Sequence, residues 1–184
     1  MKYAYIFDFD GVLVNTMEAH YTCYKKILSE VGVPINKKEF YRLAGKTGKE
    51  MALHFCNKAK KEVDIEEIYN KKGLLYKKYF DYIKPINSNI QLFKKLKQSG
   101  IPVAIASGSS RPSITPVAKK YGLIPDAIVT SEDVKRGKPN PDLFLKAAEL
   151  LSISPKKCIV IEDSETGVLA ASAAGMKAFH FFNK

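Results

Sequence analysis

From Tyr3 to Phe9 the chain is apolar and β-prone, and this first run predicts a buried strand. Beyond residue 84, strands and helices alternate. QLFKKLKQSG reads as an amphipathic helix with a glycine stop, and IPVAIAS as a buried strand. Pro112 to Tyr121 has a helical pattern, AIVTS that of a strand and PDLFLKAAELL that of a helix. KKCIVIED, TGVLAASAAG and KAFHFF follow as strand, small-residue helix and strand. Alternation at this spacing predicts an α/β fold, a parallel sheet with helices on both faces.

Residues 16–82 break the rhythm and read as helices alone: Thr16 to Val31, Lys37 to Leu43, Thr47 to Lys60 and Ile65 to Ile83. Thr16 suits an N-cap, and Gly32-Val33-Pro34 ends the first of them. One crossover does not need so many helices. The block is therefore expected to be an inserted, all-helical cap domain over residues 16–82, set into a core of residues 1–15 and 83–184. Its hinges would be Asn15-Thr16 and Lys84-Pro85.

Composition adds little to this and removes several alternatives. The 184 residues are 46% hydrophobic and 27% charged, which suits a globular chain with a real core. No apolar run could span a bilayer and no signal peptide is visible, so a cytoplasmic protein without membrane partners is expected. Cys23, Cys56 and Cys158 are scattered in apolar surroundings, which suits buried thiols in a reducing cytosol. The net charge of +11 comes mostly from lysine pairs spread over the polar faces of helices, such as Lys25-Lys26 and Lys94-Lys95. With no stacking aromatics or nucleic-acid motif beside them, they read as solvated surface rather than a nucleic-acid site.

Four strand ends carry candidate chemistry. The first strand runs into Asp8 and Asp10 with Gly11 behind them, and carboxylates at a buried strand's tip need a partner. An open α/β sheet takes its ligands at that edge. VAIASGSS ends in Ser107, Gly108 and Ser109, hydroxyls and backbone donors in front of a helix, suited to an anion. VKRGKPNPD offers Lys138 in a loop held by prolines, and IVIEDSETG repeats the acidic strand end with Glu162 and Asp163. Two acidic clusters without His or Cys favour Mg²⁺ over zinc. Together these parts make a kit for phosphoryl transfer: carboxylate nucleophile, metal, and positive groups for phosphoryl oxygens.

The order DFDGVLVNT, IASGSS, GKPNPD, IEDSETG resembles the haloacid dehalogenase superfamily of phosphatases and phosphomutases, over nearly the whole chain. The helical insert resembles that superfamily's C1-type cap, and the chain is most similar to its β-phosphoglucomutase and phosphoglycolate phosphatase branch. The resemblance implies a Rossmann-like core. It implies Asp8 as the nucleophile that becomes an aspartyl phosphate, and Asp10 as general acid/base whose main-chain carbonyl binds Mg²⁺. It further implies Ser107, with Gly108, and Lys138 as holders of the phosphoryl group. Asp163 becomes a metal ligand beside Asp8, and Glu162 a ligand or a partner of one.

Two departures stand out. Asn15 replaces the aspartate common at the hinge, and the chain stops soon after KAFHFFNK, where many relatives continue with another strand and helix. In the cap, LAGKTGKEM resembles the specificity loop, but Gly48 stands where mutase relatives typically carry an arginine. Lys46 and Lys49 lie nearby, Lys72 matches a second cap lysine, and His20 matches a histidine of the mutase branch. Lysine lacks the bidentate fork of arginine. The expected activity is therefore a Mg²⁺-dependent phosphatase, a monomer acting on a small phosphorylated metabolite such as a sugar phosphate or phosphoglycolate-like acid. β-Phosphoglucomutase is the alternative, and a non-catalytic phosphometabolite or nucleic-acid binder a more distant one.

Overall fold

Successive side chains of the central strands face opposite ways, and that divides the apolar core into two layers. The computed structural model describes residues 3–181. In chain order it has β1 (Ala4–Phe7), β2 (Val14–Asn15), α1 (Met17–Glu30), α2 (Lys37–Arg42), α3 (Gly48–Lys58) and α4 (Ile65–Tyr76). There follow β3 (Lys84–Pro85), α5 (Asn87–Gln98), β4 (Val103–Ala106), α6 (Arg111–Lys120), β5 (Ala127–Val129) and α7 (Asp142–Leu150). The chain closes with β6 (Cys158–Glu162), α8 (Glu165–Ala173) and β7 (Lys177–His180). Phe182, the last residue of the expected final strand, lies outside the described residues.

The strands pair in the order β5-β4-β1-β6-β7, and every pairing is parallel. Phe7, Val103 and Ile105 face one way and pack with Phe93 of α5 and Ile114 and Val117 of α6. Ala4, Ile6, Ala104 and Ala106 face the other way, against Leu143 and Phe144 of α7 and Ala170 and Ala171 of α8. Helices thus cover both faces, as the alternation predicts. Among the described residues no helix is long and apolar enough to cross a membrane.

Helices α1 to α4 enclose an apolar cluster of their own, built on Tyr24, Leu28, Phe40, Met51, Phe55 and Ile68. Chain enters and leaves this block through adjacent strands: β2 and β3 pair antiparallel, with Val14 opposite Pro85 and Asn15 opposite Lys84. The expected hinges therefore lie side by side. Cys23, Cys56 and Cys158 are free and buried.

Three local expectations are corrected. β1 stops at Phe7, because Gly11 adopts a left-handed φ of 85° and its N–H donates to the Val14 carbonyl at 2.8 Å, turning the chain back. The helix expected to reach Ile83 ends at Tyr76 and passes into a short 3₁₀ turn over Lys77–Tyr79. The carbonyls beyond are taken by α6 and the residue after it: Lys120 donates to Phe80 and Asp81 at 3.1 and 3.2 Å, and the Tyr121 hydroxyl to Ile83. Thr16 precedes α1 but makes no side-chain cap; its hydroxyl donates to Asp10 instead.

Candidate active site

The carboxyl ends of β1, β4 and β6 meet at one edge of the sheet, where strand order reverses about β1. Asp8 directly follows β1, and its N–H donates to the Ile161 carbonyl of β6 at 3.0 Å. Lys138 arrives from the loop between β5 and α7. Its Nζ lies 2.7 Å from Asp8 Oδ1 and 2.6 Å from Glu162 Oε2. All of these groups are buried. The second Glu162 oxygen accepts from Ser164, from Oγ at 2.7 Å and N at 3.2 Å. Burying charges is costly unless they are paired and hydrogen-bonded, and here each is.

Room for the carboxylates comes from two glycines. A Cβ on Gly11 would sit 2.0 Å from Asp163 Oδ2, and one on Gly167 would sit 2.0 Å from Glu162 Cδ. Carboxylate oxygens of Asp8, Glu162 and Asp163 all lie within 4.8 Å of one another. Such crowding favours protons on the acids. Burial and then the Glu162 charge push Asp8 well above the ordinary carboxylate range, with Lys138 pulling the other way. The same two causes raise Asp163 to about 7. Burial would lower Lys138, but Asp8 and Glu162 outweigh it and raise the ammonium above its ordinary value. Three carboxylates against one lysine form a hard-oxygen cluster of the kind that suits Mg²⁺.

Asp10 has a different environment, although only one residue separates it from Asp8. Its Oδ1 accepts from Thr16 and lies 3.1 Å from His20 Nε2, while Oδ2 accepts from Ser107 at 2.8 Å and Ser109 at 2.7 Å. Burial pushes this carboxyl up, yet the hydrogen bonds from His20, Thr16 and Ser109 hold it below its ordinary range. Asp10 is ionised here, and its side chain is not part of the acidic cluster.

Behind Asp10 the contacts continue into α4. Lys72 Nζ lies 2.8 Å from His20 Nδ1, and the His20 ring stacks on Tyr76 with centroids 4.2 Å apart. An ammonium has only donors, so Nδ1 accepts from Lys72 and Nε2 carries the hydrogen donated to Asp10. Burial and the Lys72 charge both lower the His20 pKa, which keeps the ring neutral. Lys72 is buried and its pKa is pushed down to about 8, although Asp10 pulls it up.

The cap loop rests directly on this edge. A Cβ on Gly108 would lie 2.6 Å from the Lys46 carbonyl oxygen, Thr166 donates to the Ala44 carbonyl, and Glu50 Oε1 accepts from the Gly137 N–H at 3.3 Å. Between loop and sheet lies a partly open cavity of about 60 Å³. Its core end is lined by Asp8, Asp10, Ser107, Gly108, Ser109 and Asp163, and its cap end by Met17, Tyr24, Phe40, Met51 and Tyr69, with His20, Lys46 and Lys72.

The structure thus gathers Asp8, Asp10, Ser107, Gly108, Lys138, Glu162 and Asp163 at one edge, with His20, Lys46 and Lys72 above them. Lys49 is the exception: it is exposed on the outer side of α3, where it pairs with Glu66, and it does not line this cavity. Its place at the second residue of α3 turns it outward while Gly48, one residue earlier, faces in. Residues missed from sequence are Thr16, on Asp10, and Tyr24 and Tyr69. Ser109, read from sequence as part of an anion seat with Ser107 and Gly108, donates to the Asp10 carboxylate. The tyrosines carried no local signal.

Known proteins share both sequence and shape with this chain. Hexitol phosphatase A of Escherichia coli (strain K12) is 33% identical over 172 residues, spanning 93% of this chain and 79% of that protein. The bifunctional riboflavin kinase/FMN phosphatase of Arabidopsis thaliana is 35% identical over 175 residues, which span 94% of this chain and 46% of that longer protein. The crystal structure of β-phosphoglucomutase from Clostridium difficile has a TM-score of 0.89 at 27% identity, covering 100% of this chain and 86% of that one. The family model of haloacid dehalogenase-like hydrolases matches residues 5–181, and the chain belongs to that family.

Proposed function

We propose that this hydrolase is a Mg²⁺-dependent cytoplasmic phosphatase of small phosphorylated metabolites, working through an aspartyl phosphate on Asp8, with residues 16–82 as the cap over a core of residues 1–15 and 83–184. One observation carries the reading. Asp8 and Asp10 line the same cavity in opposite environments, Asp8 paired to Lys138 within an acidic cluster, Asp10 outside it among hydroxyls and an imidazole. Paired carboxylates in different surroundings are how one site supplies a nucleophile and a proton carrier.

Lys138, with a cation in the acidic cluster, would hold Asp8 ionised against burial and the Glu162 charge. An Asp8 oxygen then attacks phosphorus, the bond from phosphorus to the leaving oxygen breaks, and the Asp10 carboxyl gives that oxygen its proton. The products are the alcohol and an acyl phosphate. Water then attacks phosphorus while Asp10 takes its proton. The bond to Asp8 breaks, phosphate leaves, and Asp10 is again protonated for the next cycle. The first step needs the protonated acid, whereas the hydrogen bonds described above hold Asp10 ionised. A phosphate dianion arriving beside it favours the protonated form by like-charge repulsion. Ser107 and Lys138 are the donors nearest the transferred group, once the Ser107 hydroxyl turns from Asp10. Mg²⁺ would be held by the carboxylates of Asp8 and Asp163 and the Asp10 carbonyl, and would neutralise phosphoryl oxygens. Glu162, with both oxygens engaged, orients Lys138 and Ser164.

Phosphate release by wild type and Asp8→Asn, with Mg²⁺ and with EDTA, tests this. Release only by wild type with Mg²⁺ is expected; an Asp8→Asn protein with a tenth of wild-type activity overturns the nucleophile. The likeness to β-phosphoglucomutase motivates a second arm: β-glucose 1-phosphate with a trace of glucose 1,6-bisphosphate, followed by phosphorus NMR. Glucose 6-phosphate forming faster than free phosphate would make the chain a mutase.

A further inference from the structure

We infer that the cap end of the cavity is an aromatic leaving-group site. Tyr24 and Tyr69, with Gly48 between them, select phosphate monoesters whose alcohol carries a planar apolar ring and disfavour those with a second phosphate. This rests on the hydrolase reading and moves the substrate away from the phosphoglycolate-like acids and sugars expected from sequence.

Gly48 leaves no room for a side chain. A Cβ there would lie 2.5 Å from Tyr69 Cε2 and 2.8 Å from the Tyr24 hydroxyl oxygen. The Tyr24 hydroxyl donates to the Gly48 carbonyl at 2.7 Å and Tyr24 is buried, so its ring cannot swing aside without losing that bond. The space from which a cation could grip a second phosphate is thus filled by two rings.

Two of the three lysines nearby are engaged elsewhere. Lys72 is engaged by His20 and lies over two rings, 4.6 Å from the Tyr76 centroid and 5.3 Å from that of Tyr24. Lys46 also lines the cavity, with its backbone against Gly108 of the core loop. Lys49 faces Glu66 on the outer surface.

Both tyrosine hydroxyls are also engaged. That of Tyr24 goes to Gly48, and that of Tyr69 lies 3.3 Å from Ser131 Oγ, so both rings line the cavity with their hydroxyls already engaged. Phe40 stands behind Tyr24 with centroids 5.8 Å apart, and the Met51 side chain completes the wall. Sugar hydroxyls buried there would trade water for carbon, which is costly. A flat ring would gain dispersion and ring contacts instead.

The test compares phosphate release by the full chain with Mg²⁺ from esters of matched primary alcohols: benzyl and 2-naphthylmethyl phosphate against glycerol 3-phosphate and 2-phosphoglycolate, with glucose 1,6-bisphosphate as a fifth. The ring-bearing pair should exceed the others in kcat/KM by about tenfold, the worth of a ring contact or two. Tyr69→Ala should collapse that ratio chiefly through KM, and Gly48→Ala, which displaces the rings by one methyl, should lower it as well. Circular dichroism checks that both fold. Equal rates for all esters, a preference for the bisphosphate, or a ratio unmoved in a folded Tyr69→Ala protein would overturn the ring site alone. Release from none of the five would overturn the hydrolase reading beneath it.

Discussion

Nζ of Lys138 lies 2.7 Å from Oδ1 of Asp8, a pairing made across 130 residues of chain. The same ammonium neutralises Glu162, and all three side chains are buried. Lys138→Met would leave two buried carboxylates without a counter-charge. We expect a loss of about 3–5 kcal/mol in urea unfolding, the usual cost of removing one partner from a buried pair. Adding Glu162→Gln should recover part of that stability without restoring activity. A single variant as stable as wild type would show that the pair is not buried in solution.

Asp10→Asn should slow turnover by about 10²- to 10⁴-fold, the range for a lost general acid/base. Its carboxylate faces Thr16, His20, Ser107 and Ser109, away from the acidic cluster, so the Mg²⁺ concentration giving half activity should barely change. A variant whose only defect is a higher Mg²⁺ requirement would move Asp10 into the metal shell.

Asp163 gives the metal site a pH dependence. Burial and Glu162 raise its folded pKa from 3.8 to about 7, so between those values the folded protein holds a proton that the unfolded chain has released. Without metal, stability should therefore fall as pH rises through that window. Mg²⁺ must displace the proton, so its affinity should strengthen up to pH near 7 and then level off. Melting temperatures at several pH values, in EDTA and across a Mg²⁺ titration, report both. In Asp163→Asn the metal response should weaken and keep only the pH dependence that Asp8 contributes; a midpoint constant from pH 5.5 to 8 in wild type would refute the ligand role.

Lys72 acts in the opposite range. Its folded pKa of about 8 lies below its ordinary 10.5, so between these values the unfolded chain binds a proton that the folded one lacks. Its contribution to stability therefore rises with pH across that window, by up to about 3 kcal/mol. Lys72→Met should remove this component, and comparing urea unfolding at pH 7.5 and 9.5 in the two proteins cancels the other titrating groups. Identical pH slopes would mean that Lys72 is solvated.

Much of this was legible along the chain because it is written in local pattern. Runs such as VAIAS and KKCIVIED are short, apolar and regularly spaced, and only parallel strands under helices can bury them. Parallel strands also present their carboxyl ends at one edge, so residues at the tips of β1, β4 and β6 had to meet. Tertiary structure decided what depends on contacts between distant segments. Thr16 became a donor to Asp10 instead of a helix cap, α4 ended early where Lys120 and Tyr121 took carbonyls 38 to 40 residues away, and Lys49 turned from the site to Glu66. Most of all, the meaning of Gly48 depends on Tyr24 and Tyr69, whose rings fill the space beside it. Periodicity reports which face of an element is buried; which side chain fills a given gap depends on packing between elements, which no single stretch of sequence encodes.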